Sequence, residues 1–170
     1  IDNTSAGRPQ LALNDADIIY VTRVEVGLTR LLPVWHSSMP AAIGPVRSVR
    51  PVDASIVDPF HGVFVYSGGQ VPFKSAATRT GLVISDEDTE MNNDTYFRES
   101  TRKAPWNLFF RAQSLQELYS EEQPVPQAGF AFDLISTAVG EGVAANGLSV
   151  NYPQMKSAWD LGTGNFPWTM

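Results

Sequence analysis

The chain has no cysteine and only two histidines among its 170 residues. The first absence excludes disulfides, thiolate catalysis and cysteine-ligated metal within it. The second leaves little room for a histidine-rich metal centre. No run approaches the ~20 consecutive apolar residues needed to span a bilayer. There is no secretory apolar region and no basic amphipathic presequence. Lysine is scarce as well, since nine of the 12 basic residues are arginine. The net charge of -6 argues against a general binder of nucleic acid or of anionic membrane surfaces.

What is present is an ordinary globular composition, 43% hydrophobic and 18% charged. At this length about 70% of the unfolded surface is buried on folding, enough for a core. The acidic excess sits in the C-terminal third: residues 112–170 hold one basic and six acidic residues, whereas residues 1–111 are nearly balanced.

Residues 1–14 read as an irregular, polar lead-in. Residues 17–26 and 28–36 are rich in Ile, Val and Leu around Val26-Gly27, and read as an antiparallel hairpin. Residues 46–57 read as a short helix ended by Pro59. Gly62 to Tyr66 is a buried central strand, broken by Ser67-Gly68-Gly69. Residues 71–80 read as a helix and 82–84 as another buried strand. Residues 85–94 form a polar loop. Leu108, Phe109, Ala112, Leu115, Leu118 and Tyr119 give a helical stripe over 106–122. A linker over 123–129 and a short strand over 130–133 follow. Residues 148–152 and 156–160 read as strands around Pro153, and 162–170 as loop. The alternation of strands and helices predicts an α/β (or α+β) fold, a mixed β-sheet sandwiched by helices with an antiparallel hairpin near the N-terminus.

Two basic islands stand out. They are Gly44-Pro45-Val46-Arg47-Ser48-Val49-Arg50-Pro51 and Phe97-Arg98-Glu99-Ser100-Thr101-Arg102-Lys103-Ala104-Pro105. A guanidinium is always charged and presents a planar fork of donors to carboxylate or phosphate. On a stiffened turn it loses less freedom on binding. Arg47 and Arg50, on a helical first turn, would share one face near a positive helix end. The competing reading pairs them with Glu25, Asp53 or Asp58. Arg98, Arg102 and Lys103 are candidate ligand contacts or an internally paired loop. Glu25 and Arg30 flank the hairpin turn, as an ion pair or as part of a shared rim. Neighbouring cations would weaken Glu25 as a general base.

His36 and His61 read as satisfied strand-end histidines, with no zinc-like spacing. Ser67, Gly68 and Gly69 form a turn at a strand's C-terminal end, where α/β proteins place ligands. They match neither a nucleophile elbow nor a phosphate-binding P-loop. Asp86, Glu87, Asp88 and Glu90 read as a solvated acidic loop without the spacing of an EF-hand. No catalytic residue, metal site or cofactor is assigned.

Arg8-Pro9-Gln10, Ala16 to Tyr20, Glu25 to Arg30, the first island, Tyr66 to Gly69, the second island and Asn107-Leu108-Phe109 occur in this order. The set resembles the YerB-like lipoprotein family, which carries the DUF3048 domain. The likeness covers residues 1–122, and residues from Leu148 resemble the opening of a second, smaller domain. The expected division is thus 1–147 and 148–170. The resemblance implies a lipid-anchored protein on the outer face of a Gram-positive or actinobacterial membrane, its signal and anchor cysteine lying upstream, and no settled activity. It adds Asn107 to the candidate ligand residues. Family members usually carry histidine where this chain has Trp106, which weakens a catalytic role for that position and suits packing instead. The expectation is a non-catalytic domain whose arginines hold an anionic envelope component or an acidic segment of a partner protein. The alternatives are an enzyme acting on a phosphate- or carboxylate-bearing envelope substrate and an accessory subunit of a membrane complex.

Overall fold

A computed structural model describes residues 1–90, 94–121, 143, 145–161 and 168–169. The linker and strand expected over 123–133 lie outside the described residues, as does most of the loop expected over 162–170. Among the described residues no helix is long and apolar enough to cross a membrane.

The fold mixes α and β. Strands β1 (Ile18–Arg23) and β2 (Thr29–Val34) form the expected antiparallel hairpin, with Val21 opposite Leu31. A 3-10 turn over Glu25–Gly27 joins them. Helix α1 (Asp53–Val57) leads to β3 (Val63–Tyr66), which runs parallel to β4 (Val83–Asp86) through the crossover helix α2 (Val71–Ala77). The one-turn helix α3 (Glu87–Glu90) follows directly. Strands β5 (Tyr96–Arg98) and β6 (Leu108–Phe110) form a second antiparallel pair, and α4 (Ala112–Tyr119) comes next. Strands β7 (Gly147–Asn151), β8 (Lys156–Leu161) and β9 (Trp168–Thr169) make a three-stranded antiparallel sheet. Among the described residues the strand pairing is distributed over four small sheets.

Two hydrophobic clusters hold these pieces together. Ile43, Val46, Tyr96, Leu108, Phe110, Ala112 and Leu115 form one, and Val49, Val57, Phe64, Tyr66 and Ala77 the other. The first basic island threads between them. Val46 and Val49 enter the two clusters, while Arg47 and Arg50 are left facing the polar side. Of the helix expected over residues 46–57, only α1 (Asp53–Val57) forms, and residues 46–52 are not helical. The Val46 N–H donates to Leu108 C=O and the Val49 N–H to Gly68 C=O, so neither is available for helical bonding. Pro45 and Pro51 have no N–H to give. Gly44 is required because a Cβ there would collide with the Phe109 ring.

The helix expected over 106–122 is corrected too. Leu108, Phe109 and Phe110 are all buried, and β6 occupies them. A contiguous apolar triplet fits a strand covered on both sides better than one helical stripe. The helix begins only at Ala112, burying Ala112 and Leu115. Trp106 lies in the preceding turn. The expected acidic loop is corrected as well. Asp86 closes β4 and Glu87 opens α3, and they are only 2% and 7% exposed.

The turn between β7 and β8 touches the hairpin. The Thr29 hydroxyl donates to Met155 Sδ (3.4 Å), and Gly27, at φ +77°, lies against Pro153.

Candidate functional site

The polar lead-in contributes the least expected element of the site. Asp2 is fully buried, and its carboxylate draws in two arginines. Arg30 Nη1 lies 2.8 Å and Arg47 Nε 3.2 Å from the same oxygen, Asp2 Oδ2. The other oxygen accepts from the Thr4 N–H and hydroxyl, at 2.7 and 2.6 Å. Burying a charge is costly unless it is paired and hydrogen-bonded, and Asp2 is both. One carboxylate therefore faces two guanidiniums.

Arg30 is 9% exposed, and its Nε–H is buried without a protein acceptor. Burial, followed by the repulsion of Arg47, holds its pKa below the usual arginine value. Both effects would be relieved by a further anion. Arg47 Nη1 also donates to the Pro105 carbonyl at 3.2 Å, linking the two basic islands. Arg50 is turned away. Its Nε pairs with Glu25 Oε1 at 2.8 Å, and its Nη1 donates to the Ser48 and Val49 carbonyls. The expected Glu25–Arg30 partnership is thus replaced by Glu25–Arg50 and Asp2–Arg30. The Glu25 pKa is lowered by its own backbone N–H and by Arg50. Asp53, buried at the start of α1, accepts from the Arg50 N–H at 2.8 Å, and burial raises its pKa.

Arg30, Arg47, Ser48 and Asp53 line a cavity of about 400 Å³. Its walls come from β2, β3, the segment 43–48 and α4, and are mostly apolar. His36 and His61 line it as well, and both are exposed. The volume falls in the range of small-molecule sites.

The remaining candidates gather elsewhere. At the C-terminal ends of the parallel strands, Ser67 Oγ donates to Glu87 Oε2 at 2.6 Å. Arg98 Nη2 meets Glu87 Oε1 at 2.6 Å, and Arg98 Nη1 donates to Asn107 Oδ1 at 3.1 Å. The Gly68 N–H donates to Asp86 Oδ1 at 2.8 Å, and Lys74 Nζ bridges Asp86 (2.5 Å) and Asp88 (3.1 Å). Those carboxylates raise the Lys74 pKa. Gly69, at φ +151°, passes against Val49 where a side chain would not fit. Arg102 donates to the Gly7 and Pro9 carbonyls and lies 5.3 Å over the Phe109 ring. With Arg98 it borders a shallow surface depression, separate from the large cavity. The two islands thus touch through Arg47 but do not converge in one pocket. Among the described residues there is no group of three or more His, Cys, Asp or Glu placed to hold a metal.

Sequence reasoning missed Asp2, Lys74, Asp86 and Glu87. Asp2 sits in a polar stretch with no periodicity, and its partners are 28 and 45 positions away. Only its place at the head of an ordered motif set could have marked it.

Known proteins resemble this chain in sequence and in fold. A Bacillus subtilis (strain 168) protein named "Putative lipoprotein YerB" is 28% identical over 109 residues, 64% of this chain and 33% of that protein. The chain therefore spans about a third of that relative's length. The crystal structure of YerB from Bacillus subtilis superposes with a TM-score of 0.67 at 23% identity, covering 74% of this chain and 44% of that one. It shares the fold. Residues 1–125 match the family described as "Protein of unknown function (DUF3048) N-terminal domain", and the chain belongs to that family.

Proposed function

We propose that this chain is an extracytoplasmic, lipoprotein-borne domain that binds an anionic component of the cell envelope through its arginine-lined pocket, without catalysis. The observation that carries the reading is the excess of guanidinium over carboxylate at Asp2, with a buried Arg30 Nε–H that has no acceptor. That Nε–H is closed off from solvent, so an entering oxyanion would answer the shared guanidinium charge of Arg30 and Arg47 rather than that donor. The placement outside the membrane rests on the relative's printed name.

Catalysis finds less support in the geometry. Six residues of extended chain separate Arg30 from His36, about 20 Å. Glu25 is held by Arg50 with a lowered pKa. Neither supplies a base beside the arginines, and Asp53, which does lie there with a raised pKa, is held by the Arg50 N–H. An acidic segment of a partner protein would satisfy the same donors, but the cavity's depth favours a small ligand.

Calorimetric titration with inorganic phosphate tests the reading. Wild-type protein gives saturable heat, and Arg47→Gln weakens binding at least tenfold while melting as a folded protein. No saturable binding by wild type, or equal binding by the variant, overturns it.

A further inference from the structure

The two ends of the cavity differ in kind. Strand β2 starts at the Arg30 end and leads out through Trp35 to His36. Strand β3 starts just after His61 and ends at Tyr66, where the Ser67 N–H donates to the Arg47 carbonyl (3.1 Å). The two strands enter from opposite ends. Both histidines therefore fall at one end, and both arginines at the other. His36 and His61 are exposed, whereas Arg30 is nine-tenths buried. Between the ends run apolar walls, among them Leu32, Val34, Val63, Val65, Phe110 and Leu115.

An inorganic anion would use only the inner end and leave those walls wet. We infer that the cavity takes a single-chain amphiphile with one carboxylate or phosphate head, the head at Arg30 and Arg47 and the alkyl chain along β2 and β3 toward His36 and His61. The inference rests on the anion-binding reading above and names its ligand class. Arg30 and Arg47 share a single Asp2 oxygen, and a singly charged head is what that arrangement can still take. Asp53 lines the same end and disfavours heads of higher charge. Along the walls, each methylene removed from water tightens binding about fourfold.

The test uses the 170-residue chain with inorganic phosphate, then octyl, decyl and dodecyl phosphate, decanoate and decanol, all below their micelle concentrations. Calorimetry reads affinity, and the fluorescence of Trp35, which lines the cavity, reads occupancy. Affinity rising about fifteenfold per two methylenes, with decanol at least tenfold weaker than decyl phosphate, is the expected result. Comparable binding of decanoate assigns the site to a singly charged head of either kind, and phosphate-only binding narrows it to alkyl phosphates. Val65→Trp, which obstructs the wall, abolishes the chain-length dependence and leaves phosphate binding in place. The wild-type series alone decides the matter if that variant does not fold. Phosphate bound through Arg47 with no gain from alkyl chains overturns the amphiphile inference and leaves the anion reading standing. Decanol bound as tightly as decyl phosphate overturns both, as does the absence of any binding.

Discussion

The molecule contains two buried polar clusters built from the same residue types, and they are finished differently. Around Glu87 the charges are paired: Ser67 and Arg98 hold one carboxylate, Lys74 and the Gly68 N–H hold Asp86, and Asn107 takes the spare Arg98 donor, with Asp86 Oδ2 held by the Lys74 ion pair alone. Around Asp2 the match is incomplete, with two guanidiniums on one oxygen and an Arg30 Nε–H left over. The first cluster closes the ends of β3 and β4. The second opens onto a cavity. A closed network adds rigidity, whereas an open one holds unused recognition capacity. The count of arginines does not separate the two; the balance of donors against acceptors does.

Four experiments break or sharpen that contrast. Asp2→Ala has the largest expected effect. It leaves the buried Arg30 and the partly exposed Arg47 without their carboxylate and the Thr4 donors without an acceptor. The loss is about 3–5 kcal/mol by urea denaturation, in line with other broken buried pairs. Glu87→Ala opens the closed cluster. It costs about 1–3 kcal/mol, because Arg98 is half exposed and water replaces its partner, and phosphate affinity stays at the wild-type value. Impaired phosphate binding in that variant would erase the distinction between the clusters. Arg47→Gln reverses the pattern, with a stability loss of about 1 kcal/mol or less and the tenfold weaker phosphate binding already described.

Glu25→Gln is the smallest. The folded Glu25 has a pKa below its ordinary value of 4.5, so its contribution is present above that pH and is lost as pH falls through the folded value. Its carboxylate is 59% exposed, so the contribution is a few tenths of a kcal/mol. Wild type and variant therefore differ slightly at pH 7 and converge as pH falls through the folded value of Glu25, as followed by thermal melts.

The parts legible in sequence are those governed by near neighbours. The β1–β2 hairpin shows in two Ile/Val/Leu-rich runs around Val26-Gly27. Strands β3 and β4 are short apolar runs bounded by Gly62, Ser67 and Gly81. Strands β7 and β8 flank Pro153. Misplacement arose where distant contacts decide. The Val46 and Val49 N–H groups bond to Leu108 and Gly68, which no local pattern around residue 46 records. Leu108 to Phe110 scored as part of a helix because the residues after them are one. The arginines were visible through their glycine and proline brackets. Asp2, which decides what Arg30 and Arg47 have left to offer, was not. Neither were Lys74 and Arg98 as the partners that turn an apparently wet acidic loop into a buried cluster.

The stretch from Gly44 to Pro51 places Val46 and Val49 in the two cores and Arg47 and Arg50 beside Asp2 and Glu25. It behaves as a reading frame of three. Conservative exchanges within it alter one position at a time. A single residue inserted or deleted between its two flanking prolines shifts every later position, driving a guanidinium toward the core and a valine out to the polar side. This segment therefore tolerates spelling errors but not frameshifts: its length is under tighter constraint than any one of its letters.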